Sequence, residues 1–121
     1  MKYKIKATGI NLSGDINDYL DKRLQSIEKL IDINNPTLLV EVELGRTTRH
    51  HQSGDFFRAE INLSIDGRSF RAVSEKESLD SAIDEIRDEM ANVLRSYKGK
   101  QQSLFKRSGA RIKEVLRKFY K

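Results

Sequence analysis

The chain has 121 residues, a formal net charge of +5 at pH 7 and no cysteine. That length is the size of one domain with its own core, and the lack of cysteine excludes disulfides, thiolate metal sites and cysteine nucleophiles. No apolar run approaches the ~20 residues of a membrane span and the first residues lack the apolar core of a signal peptide, so we expect a cytoplasmic protein with no membrane partner.

The first predicted elements are a strand and a long helix. Lysines alternate with apolar residues over residues 1–8, which indicates a strand with one wet face. Ser13 is a good N-cap, and apolar residues then recur every three or four positions to about Ile33, where an Asn-Asn-Pro sequence stops the helix. Charges of both signs fill the rest of the helix, with pairs such as Asp18 and Lys22, as is usual on a solvated face.

A second strand and a polar loop follow the proline. Residues 37–45 alternate between inward Leu or Val and outward Glu41 and Glu43. Loop 46–54 is polar, basic and long for a hairpin connection, so we expect it to project from the edge of the sheet. The outward glutamates are expected opposite basic residues of neighbouring strands, namely Lys4, Lys6 or Arg58.

The clearest local signal is a β-hairpin over residues 56–74. Apolar and polar residues alternate from Phe56 to Ile65, and Asp66-Gly67 suits a two-residue type I′ turn. The alternation then resumes, which predicts a second strand antiparallel to the first. A hairpin alone is not stable in water, so its apolar face needs a cover from the helices.

A second amphipathic helix of about five turns is predicted after the hairpin. Ser74 or Ser78 caps its start, the apolar stripe runs from Leu79 to Tyr97, and Gly99 is the expected C-cap. Four acids around Arg87 are expected to be solvated: Asp84, Glu85, Asp88 and Glu89.

The order of these elements predicts an α+β fold, β-α-β-β-β-α. A helix joining the first strand to the second makes a right-handed parallel crossover, and the meander extends the sheet, so we expect strand order 1-2-3-4 with strands 1 and 2 parallel. Both helices are expected on one face, as a two-layer sandwich. We divide the chain into a domain over residues 1–100 and a basic C-terminal tail over residues 101–121, helical from residue 110.

Positive charge is concentrated in the C-terminal quarter. Residues 1–89 hold 13 Lys/Arg and 17 Asp/Glu, a net charge of −4, whereas residues 90–121 hold 10 Lys/Arg and one acid, a net charge of +9. This asymmetry is typical of a protein that binds a polyanion, most often nucleic acid or an anionic membrane. The alternative is a solvated basic tail without a partner.

No pattern in the chain predicts catalysis, a metal site or a cofactor. His50 and His51 are adjacent, an arrangement that rarely directs both rings at one ion, and no third ligand lies at metal spacing. The sequence contains no phosphate-binding loop and no nucleophile elbow, and nothing sets a carboxylate in an apolar pocket. We therefore predict that the protein is not an enzyme and has no small-molecule substrate.

The residues left to carry function are basic. We expect the loop residues Arg46 and Arg49, with His50 and His51, to be displayed beside the basic residues at the end of the second helix. Tyr97 and Phe105 are interleaved with this charge, and either stack on unpaired bases or serve the fold, Tyr97 in the helix stripe and Phe105 in docking the tail. The basic run comprises Arg95, Lys98, Lys100, Lys106 and Arg107.

Three stretches give the chain a resemblance to the family of ribosome hibernation-promoting factors, also called ribosome-associated inhibitors or sigma-factor modulation proteins, in its short form. Together they span nearly all of residues 1–100 in the family's order. The stretches are DKRLQSIEKL at residues 21–30, FRAEINLSIDG at residues 57–67 with Arg71-Ala72, and SAID at residues 81–84 leading to LRSYK at residues 94–98.

The resemblance implies a fold akin to double-stranded RNA-binding domains and a protein that holds ribosomes inactive during stress or stationary phase. Family members bind rRNA of the small ribosomal subunit between head and body, beside ribosomal proteins, and block the mRNA channel and the A- and P-site tRNA positions. Long members carry a further domain that pairs ribosomes; with only a basic tail here, dimerisation through such a domain is not expected. The family's basic positions correspond to Lys22, Arg23 and Lys29 on the first helix and to Arg95, Lys98 and Lys100 at the end of the second.

Two hypotheses from different classes follow. In the first, the protein is a translation inhibitor that binds rRNA electrostatically and acts by occupying space. In the second, it is a regulator that acts through protein contacts, as the sigma-factor name suggests, and the basic tail is incidental. A general RNA-binding module is a further alternative.

Overall fold

The structure, a computed structural model, describes residues 1–47 and 56–107, with side chains described as far as residue 98. It confirms the predicted α+β order β-α-β-β-β-α. Neither helix within these ranges has a segment long and apolar enough to cross a membrane. The elements are β1 (Lys4–Thr8), α1 (Gly14–Glu28), β2 (Leu39–Thr47), β3 (Phe56–Ile65), β4 (Arg68–Lys76) and α2 (Leu79–Arg107).

The four strands form one mixed sheet in the predicted order β1-β2-β3-β4, with β1 parallel to β2 and the other pairs antiparallel. Two of the expected charge pairs across strands are confirmed by the register, because Lys4 lies opposite Glu41 and Lys6 lies opposite Glu43. Arg58 does not share this arrangement, since its partners in the register are Gly45 on β2 and Glu75 on β4.

The β3-β4 turn has the geometry that its sequence predicts. Asp66 and Gly67 have φ angles of 51° and 76°, the left-handed region that a type I′ turn requires at both central positions. The segment after α1 binds this turn: Asp66 N–H donates to Thr37 Oγ1 at 2.8 Å, and Asn35 Nδ2 donates to Asp66 Oδ1 at 2.9 Å. The turn therefore also anchors the connection between α1 and β2.

Both helices cover one face of the sheet, as predicted, and the core lies between the two layers. Alternation in the strands turns every second side chain toward the helices, while the three-to-four spacing in the helices turns one stripe toward the strands. The largest fully buried side chains are Leu20, Leu24 and Ile27 on α1, Val40, Val42, Leu44, Ile61 and Leu63 on the sheet, and Ile83, Ile86 and Met90 on α2.

The prediction that α1 extends to about Ile33 is wrong, because the helix ends at Glu28 with Lys29 as its C-cap. Leu30 N–H then bonds to the carbonyl of Ile27 at 2.9 Å, which tightens the end of the helix into a turn. The apolar spacing continues past the end because Leu30 and Ile31 pack on the core from this turn, whereas Ile33 is 45% exposed.

The prediction that Gly99 ends α2 is also wrong, because the helix continues to Arg107. A glycine inside a helix costs only about 1 kcal/mol relative to alanine, and residues 100–107 are mostly good helix formers. At the start, the alternative cap is used: Ser81 N–H donates to Ser78 Oγ at 3.2 Å, while Ser74 belongs to β4. The predicted helix from residue 110 lies outside the described residues, and the division at residue 100 stays a prediction.

The contact between β1 and β2 leaves no room for a side chain at Gly45. A Cβ there would lie 2.9 Å from the carbonyl oxygen of Thr8, a backbone atom that cannot rotate away. We expect Gly45→Ala to lower the free energy of unfolding by about 1–3 kcal/mol, measured by urea denaturation. As the control, Gly14→Ala enters open space and should raise it by up to about 1 kcal/mol. Equal midpoints for the two variants would contradict this account.

Candidate nucleic-acid interface

The two helices run in the same direction, because each returns antiparallel to a strand and β1 and β4 point the same way in the sheet. Tyr19 on α1 and Asp84 on α2 lie at the same level, since the Tyr19 hydroxyl donates to Asp84 Oδ1 at 2.7 Å. Lys29 follows Tyr19 by ten residues and Arg95 follows Asp84 by eleven. At 1.5 Å per residue both lie about 15–17 Å further along, so the two cations are level with each other.

Four exposed cations on the outer side of this helix layer form what we call the basic helix surface. Lys22 and Lys29 are seven residues apart and so share the side of α1 that lies opposite its buried residues. On α2, Arg95 and Lys98 follow Asp84 by about three and four turns, so they share with it the side of the helix that faces α1. Within residues 1–47 and 56–98 none of the four forms an ion pair, and the predicted pair of Asp18 with Lys22 is not formed. The basic helix surface is defined as Lys22, Lys29, Arg95 and Lys98.

Arg23, predicted as a binding residue, is held by a carboxylate between the helices. Its Nε lies 3.0 Å from Asp84 Oδ1, its Nη2 donates to the Tyr19 hydroxyl at 3.1 Å, and its guanidinium lies 4.7 Å from the centre of the Tyr19 ring. The hydrogen bond to Asp84 raises the pKa of Tyr19 above its ordinary value, because it stabilises the protonated phenol.

The acids of α2 that face another element form ion pairs that the sequence did not predict, although their side chains stay partly exposed to solvent. Asp84 pairs with Arg23 across the helices, and Glu85 takes the Lys76 ammonium of β4 at 2.7 Å. Only tertiary contact provides these cations, because both are distant in sequence. Asp88 stays on the exposed surface, where Arg87 of the same helix pairs with it at 2.8 Å.

Arg46 lies at one end of the sheet, whereas Arg95 and Lys98 of the basic helix surface lie near the other end. It shares a row of the register with Phe57, whose ring lies 5.8 Å from its guanidinium. The Tyr97 ring, by contrast, packs on Phe70, which lies six residues from the row of Phe57 and Lys76, or about 20 Å away along the strands. The expectation that Arg46 is displayed beside Arg95 is wrong, because β2 carries it away from the end of α2. Arg49 and the two histidines lie outside the described residues.

The ring of Tyr97 is occupied by the fold. It packs edge-to-face on Phe70 with 5.4 Å between ring centres, and the Arg68 guanidinium lies 5.0 Å from its centre. This supports the interpretation of Tyr97 as a member of the helix stripe. Arg68 brings a further cation to this end of the domain, and local sequence does not reveal it, because its neighbourhood depends on where α2 crosses β4.

The remaining predicted cations lie on the continuation of α2. The backbone of residues 99–107 is helical, so Lys100, Lys106, Arg107 and the aromatic Phe105 follow Lys98 along one axis. At 1.5 Å per residue this stretch adds about 13 Å to the helix beyond Lys98. Positive charge therefore continues in sequence from the basic helix surface along α2.

The open face of the sheet, in contrast, carries charges of both signs that neutralise each other. Glu60 lies at its centre with a side chain only 12% exposed, and it accepts hydrogen bonds from Arg58 Nη2 at 3.1 Å, Arg71 Nε at 2.8 Å and Asn62 Nδ2 at 3.3 Å. Burial alone would raise the pKa of Glu60, but the hydrogen bonds and charges of Arg71 and Arg58 outweigh it and hold the pKa below its usual value.

This depressed pKa predicts an acid-sensitive contribution to stability. The unfolded carboxyl, with a pKa near 4.5, takes up protons before the folded one, so stability from Glu60 is present above that pH and is lost as the pH falls through the folded pKa. We expect Glu60→Gln to lower the free energy of unfolding at pH 7 by about 1–3 kcal/mol. Between pH 5 and pH 3, the free energy of unfolding of this variant should fall by less than that of the native protein.

Urea denaturation at several pH values measures the effect of Glu60. The control is Glu77→Gln, because Glu77 is exposed in the connection between β4 and α2 and has no recorded partner in the part of the chain that the structure describes. Parallel pH profiles for the native protein and Glu60→Gln would show that Glu60 does not contribute in this way.

Comparison with known proteins gives a consistent set of matches. A family model described as Sigma 54 modulation protein / S30EA ribosomal protein matches residues 3–102. A ribosome hibernation promoting factor of Pseudomonas putida is 28% identical over 112 residues, covering 92% of this chain and 100% of that protein. A ribosome hibernation promotion factor of Picosynechococcus sp. is 28% identical over 100 residues, 83% of this chain but 50% of that protein, so the chain spans about half of that relative.

Two solved structures have the same fold. The N-terminal domain of Thermus thermophilus Protein Y superposes with a TM-score of 0.61 at 26% identity, over 80% of this chain and 99% of that domain. A ribosomal subunit interface protein from Coxiella burnetii superposes with a TM-score of 0.59 at 14% identity, over 79% and 98% of the two chains. At that identity the second likeness shows the fold alone.

Proposed function

Because the chain belongs to the sigma 54 modulation protein / S30EA ribosomal protein family, we propose that it is a ribosome hibernation factor that inhibits translation by binding the small ribosomal subunit. The two curated relatives named above are ribosome hibernation factors, and one of them is matched along its whole length. The role we propose needs binding and no catalytic group, so the protein is not an enzyme.

The observation that carries this proposal is the contrast between the two faces of the domain. On the open face, Arg58 and Arg71 share the carboxylate of Glu60, and Lys4 and Lys6 lie opposite Glu41 and Glu43, so positive and negative charges are interspersed there. On the helix side, the basic helix surface is exposed and has no carboxylate within ion-pair distance in the described ranges. Unpaired Lys and Arg side chains on a firm scaffold are what phosphate binding requires.

We assign the contacts with rRNA as follows. The basic helix surface binds phosphates directly, and Lys100, Lys106 and Arg107 extend the contact along the continuation of α2. Arg46 and Arg49 make a separate contact, because Arg46 lies at the other end of the sheet. Phosphate contacts of this kind position a protein on folded RNA without reading its sequence, so specificity comes from the shape of the rRNA surface.

Inhibition follows from the space that the bound domain occupies. Both helices pack on a continuous core, so the domain binds as a rigid body. The 29-residue helix α2 alone is about 43 Å long. Bound between the head and body of the small subunit, a body of this size excludes mRNA and the A- and P-site tRNAs by overlap, without any chemical step.

Sedimentation and translation assays test the proposed function. We expect the protein to migrate with small subunits and whole ribosomes from a stationary-phase lysate at low salt, and to inhibit translation of an mRNA by purified ribosomes. Protein that stays at the top of the gradient would contradict rRNA binding and favour the second hypothesis, a regulator that acts through protein contacts.

Binding should also weaken steeply with salt. Each phosphate that a cation neutralises releases counterions, so about six contacts with exposed RNA strands predict a slope of log Kd against log salt near 4 to 5. Titration of labelled protein with small subunits between 50 and 300 mM KCl measures it. A slope near zero would show that apolar or protein contacts, rather than phosphates, hold the complex.

A further inference from the structure

Arg23 is the one cation among the family's first-helix positions that is neutralised in the free protein. It lies on the same helix as Lys22 and Lys29, which are exposed and unpaired in the described ranges. Its partner Asp84 comes from the other helix, at 3.0 Å from Nε. The middle of the helix layer therefore carries a cation whose charge is cancelled locally, between cations whose charges are not.

This ion pair contributes little to folding. The Arg23 and Asp84 side chains are 40% and 38% exposed, and ion pairs in contact with water stabilise proteins by at most about 1 kcal/mol. The buried residues Leu20, Leu24, Ile83 and Ile86 already hold the helix layer to the sheet. A carboxylate at position 84 is thus not explained by the stability of the domain.

Asp84 does occupy the edge of the guanidinium that phosphate uses. Arginine binds phosphate through parallel N–H donors in a fixed fork, and in this protein Nε faces the carboxylate while Nη2 donates to Tyr19. Tyr19 completes the arrangement, because its hydroxyl donates to Asp84 and its ring lies under the guanidinium at 4.7 Å. The carboxylate stands where a phosphate oxygen would bind.

We propose that Asp84 sets the affinity of the basic helix surface, by competing with rRNA phosphate for Arg23. This inference rests on the proposed function, since it names a residue that regulates the same surface. In the free protein, the carboxylate of Asp84 offsets the positive charge of Arg23. When the protein binds RNA, Arg23 exchanges this carboxylate for a phosphate, and the Tyr19 ring keeps the guanidinium in place. Because the ion pair with Asp84 must be broken first, the affinity for rRNA is lower than it would be if Arg23 were unpaired.

Asp84→Asn tests the proposal, because asparagine has the same shape and still accepts a hydrogen bond from Tyr19 while losing the charge. We expect this variant to bind small subunits roughly three- to tenfold more tightly than the native protein at low salt, with a salt slope steeper by about 0.7–0.9, the equivalent of one more phosphate contact. A gain in affinity cannot arise from partial unfolding. Asp80→Asn makes the same change of net charge one turn earlier, without contact to Arg23, and is expected to change the affinity by less than about twofold.

A double-mutant cycle separates the local pair from the general field of the protein. If Asp84 acts through Arg23, Arg23→Gln should remove the gain that Asp84→Asn produces, so that the double variant binds like Arg23→Gln alone. A gain that persists in the Arg23→Gln background, or no gain in Asp84→Asn, would overturn the proposal.

The same variants are titrated against a fluorescein-labelled 20-nucleotide polyuridine at low salt. Native protein that fails to bind small subunits contradicts the proposed function, yet the effect of Asp84→Asn on the oligonucleotide still decides whether the carboxylate masks Arg23. A stronger oligonucleotide affinity in Asp84→Asn that depends on Arg23 supports the competition, and an unchanged affinity on both probes overturns it.

Discussion

The triple variant Arg95→Glu, Lys98→Glu and Lys100→Glu is expected to bind the small ribosomal subunit well over tenfold more weakly than the native protein. Arg95 and Lys98 are exposed, and no carboxylate neutralises them within the described residues, so their full charge is available to phosphate. Each reversal removes an attraction and adds a repulsion, and a factor of ten corresponds to only about 1.4 kcal/mol. Co-sedimentation at several protein concentrations measures the loss.

A charge-conserving triple variant is the matched control for this experiment. Arg95→Lys, Lys98→Arg and Lys100→Arg alter the same positions and keep every positive charge, and we expect their binding to stay within about threefold of native because a phosphate contact depends mainly on charge. Both triple variants should unfold at nearly the native temperature, since Arg95 and Lys98 are exposed and substitutions at exposed positions usually change stability by less than about 0.5 kcal/mol. Unchanged co-sedimentation of the glutamate variant would remove these residues from the interface.

Truncation of a fully buried side chain between helix and sheet is expected to have the second large effect. Ile86 on α2 is 0% exposed and belongs to the core that joins both layers. We expect Ile86→Ala to lower the free energy of unfolding by about 2–5 kcal/mol, through lost burial and the cavity that remains. Small domains have only about 5–15 kcal/mol of stability, so the loss is a large share of the total.

The control for Ile86→Ala is Val93→Ala, seven residues later on the same helix, where the side chain is 39% exposed. Urea denaturation followed by circular dichroism should show a shift of about 1 kcal/mol or less for this control. Similar shifts for the two variants would mean that the core does not lie where α2 meets the sheet. Binding to ribosomes well below the unfolding temperature should be nearly native for both, because neither residue is on the basic helix surface.

Much of the fold was predictable because burial leaves a local pattern. The alternation from Phe56 to Ile65 and the Asp66-Gly67 turn identify the hairpin. The spacing of the apolar residues along each strand or helix identifies the side that faces the core. The ends of the helices were not predictable in this way. Leu30 and Ile31 keep apolar spacing while packing from a turn, so the pattern continues after the helix has stopped.

The candidate interface was likewise predictable from the sequence only in part. Sequence by itself determined the strand order, the two-layer architecture and the concentration of cations in residues 90–121, because these depend on periodicity and composition. Only the tertiary structure decided which cations are available: it pairs Arg23 with Asp84, carries Arg46 to the far end of the sheet and brings Arg68 to Tyr97. The physical reason is that an ion pair depends on distances between elements remote in sequence, and those distances exist only once the helices lie on the sheet.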